Sequence, residues 1–157
     1  MKGMTSAIEH LEREGAAYAV HEYPAEGGPV ASKDVAAHFG FSADRVFKTL
    51  VMCDSDGGYY VFCLPARCRI DTKKASALVG VSNVKMLDPE MFHELTGYVH
   101  GGCSPFGQRT TLPLYVDVSA QAWDTIYFNG GRIGLLIEVD PGILEPLLGA
   151  QFAEFTK

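Results

Sequence analysis

The segment Gly101-Gly102-Cys103-Ser104-Pro105-Phe106-Gly107 concentrates glycine, cysteine, serine and proline in one short stretch of the chain. Glycine allows the backbone to approach a ligand closely or to adopt a positive φ, whereas proline fixes φ and removes an N–H donor. A loop of this kind can hold backbone N–H groups against a small polar substrate, in the way that an oxyanion hole polarises a carbonyl group. A tight structural turn is the alternative interpretation, since composition alone does not separate the two.

A lysine interrupts a second segment that is otherwise suited to a buried strand. Residues 46–52 are apolar except for Lys48 and Thr49. Lysine is rarely fully buried without a partner, so an ammonium group at the start of such a strand is a candidate for binding an anion or neutralising developing charge. The structural alternative is a lysine whose stem lies on apolar surface while its ammonium group reaches water.

Other catalytic arrangements find less support. His93, His100 and Cys103 lie near each other in the chain, but their spacing does not match that of zinc ligands, so we predict neither a metal ion nor a cofactor. A Cys103 nucleophile stays open, because backbone N–H groups and a nearby Lys48 or His100 could lower its pKa. No Ser-His-Asp arrangement, phosphate-binding loop or dinucleotide fingerprint is recognisable.

The elements that must position these residues are short. Asn129-Gly130 predicts a hairpin, Asp71 and Asp88 are expected to cap helices, and the glycine- and proline-rich residues 24–30 are expected to form a loop at a cavity rim. Strand-like runs occupy residues 17–23, 49–53, 59–64, 84–87, 98–100, 114–118, 125–129 and 132–139. Short strands joined by hairpins with interspersed helices predict an α+β fold with a mainly antiparallel sheet.

Length and charge limit the class of protein. The chain has 157 residues, which we interpret as a single domain spanning residues 1–157. Its net charge of −6 argues against a protein that binds DNA or RNA broadly, because phosphate contacts require basic surfaces. We therefore expect no DNA partner, although a local basic patch could grip one end of an RNA. Such a patch, or simply a solvated helix start, is formed by Arg67, Arg69, Lys73 and Lys74.

The chain is expected to be cytoplasmic. No apolar run approaches the roughly 20 residues that a membrane helix needs, so we expect no membrane partner. Residues 1–6 lead into a helical pattern rather than the apolar core of an export signal. The four cysteines have no CxxC spacing and are best explained as reduced thiols.

Taken together, these segments resemble the YbaK/EbsC family of free-standing aminoacyl-tRNA deacylases, which is related to the editing domain of bacterial prolyl-tRNA synthetases. The resemblance runs along the whole chain, and the pairing of the lysine strand with the Ser-Pro loop is its most specific part. It implies a curled, barrel-like mixed sheet with helices packed outside. The motifs that carry it are Tyr18-Ala-Val-His-Glu-Tyr23, Val46-Phe-Lys-Thr-Leu50, Asp71-Thr-Lys-Lys74, the loop at residues 96–107, and Ile126-Tyr127 with Gly130-Gly131 and residues 134–138.

The resemblance also implies an activity and a set of site residues. The activity is trans-editing hydrolysis of mischarged tRNA, chiefly Cys-tRNA(Pro) or another small amino acid on tRNA(Pro), with prolyl-tRNA synthetase as a possible partner. Lys48 and the backbone of Gly101 and Gly102 would assist attack by water or by the substrate's own thiol, without a protein nucleophile. The residues expected to bind substrate are Tyr23, Thr49, Cys103, Ser104, Pro105, Gly107, Asn129 and Leu136.

Two positions depart from the family pattern. Leu136 stands where deacylases of this type carry an acidic residue, and Asn129 stands where serine is common. Leucine cannot accept a hydrogen bond from a substrate ammonium group. Strand periodicity places Glu138 on the same face as Leu136, so Glu138 could reach the same cavity. The alternative function is a non-catalytic binding or regulatory module that retains the fold.

Overall fold

The computed structural model describes residues 4–25, 27–28 and 30–157. Part of the loop predicted at residues 24–30 lies outside this range, as do the first three residues. The helices are α1 (Ser6–Arg13), α2 (Ser32–Phe39), α3 (Thr72–Val79), α4 (Pro89–Thr96) and α5 (Leu144–Leu148). The strands are β1 (Ala19–Glu22), β2 (Phe47–Cys53), β3 (Tyr59–Pro65), β4 (Lys85–Met86), β5 (Leu114–Asp117), β6 (Ile126–Asn129), β7 (Leu135–Val139) and β8 (Gln151–Ala153).

The strands form two sheets. One has the order β1-β7-β6 and the other the order β4-β2-β3-β5-β8. The β3–β5 and β5–β8 pairs are parallel, and the remaining pairs are antiparallel. The predicted mixed, mainly antiparallel α+β fold is thus confirmed.

The expected barrel is not formed. Over the described residues, the two sheets are joined by a single parallel bridge between Val46 and Tyr127, and their ladders do not close. The physical reason lies in β2, which is fully paired with β3 on one edge but carries β4 on the other edge only at Met52 and Cys53. Over the described residues, no strand ladder pairs with residues 47–51 on that second edge.

Strand β7 separates two apolar clusters. Its odd-numbered residues, Leu135, Ile137 and Val139, are buried in the main core with α1 and β2. Because side chains alternate along a strand, Leu136 and Glu138 face the opposite side, where α2 packs. The hairpin thereby contributes one face to the core and the other to the region beneath α2.

Local signals for caps and for the hairpin are confirmed. The carboxylate of Asp71 accepts hydrogen bonds from the amides of Lys73 and Lys74, and Asp88 caps α4 in the same way. Strands β6 and β7 pair as an antiparallel hairpin through a loop at residues 130–134. Across the described part of the chain, no helix is both long and apolar enough to cross a membrane.

The strand predicted at Tyr98–His100 is wrong. These residues form irregular structure and a turn. The amide of Tyr98 donates to the Thr96 hydroxyl, and the carbonyl of Val99 accepts from the Gly102 amide, so the segment satisfies its backbone groups locally. Backbone groups that are paired in this way do not need a neighbouring strand.

Candidate active site

A cavity of about 570 Å³ lies along the part of β2 that β4 leaves uncovered. The carbonyl of Val51 accepts a hydrogen bond from the Leu87 amide on this side of β2. Backbone groups two residues apart in a strand point to the same edge, so the N–H and C=O groups of Thr49 also point toward the uncovered edge. The cavity is lined by Tyr23, Val30, Val35, Val46, Phe47, Lys48, Thr49, Leu50, Val51, Ala66, Met86, Leu87, Pro89, Phe92, His100, Gly101, Cys103, Asn129 and Leu136.

Lys48 contributes a positive charge to this largely apolar surface. Its side chain is partly buried, and within the described residues it forms no ion pair with a carboxylate. Burial lowers the pKa of the Lys48 ammonium group, and the positive charge of Arg69 adds to that effect. A partly desolvated cation without a carboxylate partner gains from an anionic ligand or from negative charge that develops in a reaction.

Asn129 fixes the start of the glycine loop, which lines the same cavity as Lys48. The side-chain amide of Asn129 donates to the Gly101 carbonyl over 2.9 Å, and its oxygen accepts from the Gly131 amide over 2.9 Å. Gly101 is exposed and has a φ of 87°, a conformation that favours glycine. The Gly102 N–H already donates to the Val99 carbonyl over 3.0 Å, so the two glycine amides are not equivalent.

Cys103 lies at the inner end of the loop and keeps a neutral thiol. The side chain is 7% exposed, and burial raises the pKa of Cys103 far above that of a free thiol. Its Sγ lies 3.8 Å from the amide nitrogen of Gln108, the weak hydrogen bond that partly opposes this shift. The geometry thus gives Cys103 the character of a small apolar wall residue rather than of a thiolate.

The rest of the Ser-Pro loop lies behind the cavity wall. Ser104 and Pro105 are buried, and the Ser104 hydroxyl accepts from the Phe106 amide over 3.3 Å. Gly107 packs against the start of α1 instead of the cavity. The predicted site residues that line the cavity are Tyr23, Lys48, Thr49, Gly101, Cys103, Asn129 and Leu136. Those that do not are Gly102, Ser104, Pro105 and Gly107.

Leu136 closes the α2 side of the cavity. It is 3% exposed and packs with Val35 and Tyr127. Glu138, two residues further along the same face, lies 2.9 Å from His21 and also accepts a hydrogen bond from Thr125. These contacts hold its carboxylate beside β1, so the described lining includes Leu136 and not Glu138.

The environment of Glu138 keeps it ionised in that position. Burial alone would raise the pKa of Glu138, but hydrogen bonds from Thr125 and His21 outweigh it and lower the pKa below its ordinary value. The Arg45 guanidinium lies 3.7 Å from the same carboxylate and 5.0 Å from the Tyr127 ring. This cluster supports the back of the cavity and is not part of its surface.

The opposite wall was missed by the sequence analysis. This wall comes from β4, α4 and the short segment between them, and its lining residues are Met86, Leu87, Pro89 and Phe92. The exposed His100 lines the same cavity. Their apolar pattern is typical of an ordinary core, so periodicity does not single them out. The exposure of Met86, which is 51%, becomes visible only in the folded protein.

Over residues 4–25, 27–28 and 30–157, no group of three or more His, Cys, Asp or Glu side chains is arranged to hold a metal ion. Besides the neutral Cys103 thiol, the polar groups that line the cavity are those of Tyr23, Lys48, Thr49, His100, Asn129 and the Gly101 backbone. Such a set can orient a small ester, stabilise an oxyanion and grip a phosphate, leaving the attacking group to come from outside the protein.

Comparison with known proteins links this cavity to a family. The aminoacyl-tRNA editing domain profile matches residues 29–145. The EbsC protein of Enterococcus faecalis, described as a candidate Cys-tRNA(Pro)/Cys-tRNA(Cys) deacylase, is 32% identical over 97% of this chain and 93% of its own length. The YwhH protein of Bacillus subtilis is 28% identical over 69% of each chain. A crystal structure described as a candidate trans-editing enzyme for prolyl-tRNA synthetase superposes with a TM-score of 0.87 at 31% identity, covering 97% of this chain and 95% of the other.

Proposed function

This chain belongs to the aminoacyl-tRNA editing domain family, and on that premise we propose that it is a trans-editing deacylase. Its substrate is mischarged tRNA(Pro) carrying cysteine or another small amino acid. The observation that carries the proposal is the position of Lys48 and Gly101 in one cavity, with Asn129 fixing the glycine loop. The names of the EbsC protein and of the structural relative support the choice of cysteine and of tRNA(Pro).

The size of the cavity suits the end of a charged tRNA. At about 570 Å³ it falls within the range of roughly 300–1,000 Å³ typical of small-molecule sites. A terminal adenosine with a small aminoacyl group needs both apolar surface and a few polar anchors. The Met86 and Phe92 wall, together with the open backbone edge of Thr49, provides those two kinds of surface.

Lys48 and Gly101 have separate roles in the proposed reaction. The Lys48 ammonium group neutralises charge on the carbonyl oxygen as it becomes an oxyanion, or holds the phosphate of the terminal nucleotide. The Gly101 N–H is the backbone donor that polarises the ester carbonyl. The predicted contribution of Gly102 requires the substrate oxygen to share an amide that already donates to Val99.

The attacking group comes from water or from the substrate's own thiol. The neutral, buried thiol of Cys103 is unsuited to nucleophilic attack. Attack at the carbonyl carbon breaks its bond to the ribose oxygen, and the proton lost by the attacking group passes to that oxygen. An intramolecular thiol gains much of its rate from orientation, so confinement in the cavity is itself catalytic.

The partner that supplies tRNA identity is also a proposal. Prolyl-tRNA synthetase is a suitable partner, because the relative of known structure is described as a trans-editing enzyme for that synthetase. Copurification of this chain with prolyl-tRNA synthetase in the presence of tRNA(Pro), compared with a noncognate synthetase, tests the association. Equal recovery with both synthetases would contradict it.

Deacylation of a panel of charged tRNAs tests the proposed activity. Wild-type protein is incubated with tRNA(Pro) charged with Cys, Ala, Ser or Pro, alongside Lys48→Met and the control Lys85→Met. Lys85 is exposed on β4 and is not a lining residue, so the control removes the same charge elsewhere. We expect one species to be hydrolysed, with a loss of about 10²-fold or more in Lys48→Met only.

Two other outcomes of this panel have distinct meanings. Hydrolysis that is equal in Lys48→Met and Lys85→Met would remove Lys48 from the mechanism. Hydrolysis of no species by folded wild-type protein would favour the non-catalytic binding module, for which the specific observation is Leu136, an apolar residue at a wall position where an acceptor for the substrate ammonium group is expected.

A further inference from the structure

We propose that the acceptor-end phosphates of the tRNA bind along a basic edge formed by Arg69, Lys73, Lys74 and Lys157. This inference rests on the proposed function and adds to it the path by which the RNA backbone reaches the cavity. It identifies an interaction surface outside the cavity itself, formed by two segments that are far apart in the sequence.

The C-terminal segment is fastened to the loop before α3. Ile70 and Thr156 form an antiparallel bridge, and the Lys157 amide donates to the Arg69 carbonyl over 2.9 Å. The Lys74 ammonium group donates to the Thr156 carbonyl over 3.0 Å. These contacts place the cations of both segments on one exposed edge of the molecule.

No side chain of the basic edge is engaged in an ion pair within the described residues. By contrast, Arg67, just before the edge, lies 2.6 Å from Asp44. The carboxylate of Asp71, which is adjacent in the chain, accepts hydrogen bonds from the backbone amides of Lys73 and Lys74. Those backbone hydrogen bonds, with the charges of Lys74 and Lys157, lower the pKa of Asp71.

Such a cluster is notable in a chain with a net charge of −6. Mutual repulsion among four cations that have only the Asp71 carboxylate beside them is unfavourable for folding, whereas a solvated face would be expected to alternate the signs of its charges. A polyanion relieves the repulsion and releases its own counterions on binding. The edge therefore fits RNA phosphates better than a neutral or acidic partner.

The basic edge begins at the mouth of the cavity. Ala66 lines the cavity, and its amide donates to the carbonyl of Val46, the residue just before β2. The chain then runs directly through residues 67–69 to the edge. Arg69 is close enough to Lys48 for the two positive charges to act on one another. A strand of RNA held along the edge would thus deliver its terminal nucleotide to Lys48.

A pair of charge-matched double variants tests this path. Lys73→Gln/Lys157→Gln removes two exposed cations from the edge and keeps Arg69, whose charge acts on Lys48. Arg13→Gln/Arg109→Gln removes two exposed cations elsewhere. Lys74 is left intact because it also holds Thr156. The KM for the charged tRNA that wild type hydrolyses is measured at several salt concentrations, together with hydrolysis of the corresponding aminoacyl-adenosine, which lacks the tRNA phosphates.

The edge variant should raise KM for the charged tRNA about tenfold and reduce the slope of log KM against log salt by roughly 1.5, at about 0.7–0.9 per lost phosphate contact. Its kcat and its hydrolysis of aminoacyl-adenosine should match those of the control variant. Equal KM and equal salt slopes in the two double variants, with active wild type, would overturn the basic edge while leaving the deacylase intact.

A binding measurement keeps the inference testable if deacylation fails. Fluorescence anisotropy with uncharged tRNA(Pro) reports phosphate binding without any reaction. If wild type hydrolyses no species, the proposed function fails, but weaker tRNA binding by the edge variant alone still supports the basic edge. Equal binding by wild type and both double variants overturns it. Thermal unfolding of each variant confirms that it is folded.

Discussion

The backbone N–H of Gly107 donates a hydrogen bond to Nδ1 of His10 across 2.9 Å. This bond joins the end of the Ser-Pro loop to α1, far from the cavity that the loop's first residues line. The loop therefore has two ends with different tasks. Gly101 faces the cavity, and Gly107 anchors the loop to the core.

Gly107→Ala should destabilise the protein more than its backbone strain alone explains. Gly107 has a φ of 67°, and a Cβ there would overlap the Ser6 backbone and lie 2.9 Å from the Ala7 nitrogen. Gly15 is a matched control, because it has the same φ of 67° with nothing within 4 Å of the added atom. We expect Gly15→Ala to cost about 1–2 kcal/mol and Gly107→Ala at least about 2 kcal/mol more.

Urea unfolding of both glycine variants measures that difference. The free energies of unfolding are compared at the same pH, with the wild type as reference. Similar losses in the two variants would mean that α1 shifts to accept the extra methyl group, and the close approach of Gly107 to α1 would then not be an anchor.

Stability should fall on acidification because of His10. Burial, followed by the positive charge of Arg13, lowers the pKa of His10 below its ordinary value. The folded state therefore binds fewer protons than the unfolded state. The stability contributed by neutral His10 is fully present above the pKa that His10 has in the unfolded chain, and it is lost as the pH falls through the lower pKa of the folded protein. Protonation of Nδ1 also removes the acceptor for the Gly107 amide.

Thermal unfolding between pH 7.5 and 5 measures this linkage. The melting temperature of wild type should decrease toward pH 5, and His10→Gln should show a shallower decrease over the same window. His38→Gln, which changes an exposed histidine on α2, should keep the wild-type slope. A wild-type slope in His10→Gln would show that other groups carry the acid sensitivity.

Cys103→Ala should retain deacylase activity within a few-fold. The thiol is neutral and buried, so it contributes shape rather than nucleophilicity. Peptide mapping after brief iodoacetamide treatment should find Cys103 modified more slowly than Cys68, which is partly exposed. A loss of activity of 10²-fold or more in folded Cys103→Ala, with the Cys63→Ala control active, would restore the nucleophile hypothesis.

Leu136→Ala should relax selection for the size of the amino acid. Leu136 closes the α2 side of the cavity, and a change of one methylene in an apolar pocket alters discrimination about 10–200-fold. On tRNA(Pro), the ratio of kcat/KM for a valyl over an alanyl ester should rise accordingly. Val61→Ala, fully buried but outside the lining, should leave the ratio unchanged. An unchanged ratio in Leu136→Ala would place the side-chain pocket elsewhere.

Local sequence determined those parts of the protein whose cause is local. Asp71 caps a helix because its carboxylate reaches amides two and three residues ahead, and Asn129-Gly130 marks a hairpin because the flanking strands are adjacent in the chain. The resemblance carried by the Lys48 and Ser-Pro loop segments is also a property of the sequence alone, and the family profile and the EbsC protein confirm it.

Contacts between distant segments were decided only by the tertiary structure. The parallel pairing of β5 with β3 and β8 and the wall formed by Met86 and Phe92 have no local signature, because each depends on which surfaces meet after folding. Composition suggested that the whole Ser-Pro loop faces a ligand. In the structure, Gly101 lines the cavity, whereas Gly107 packs against α1. Composition does not separate these two roles, because glycine permits close backbone approach to a helix as readily as to a ligand.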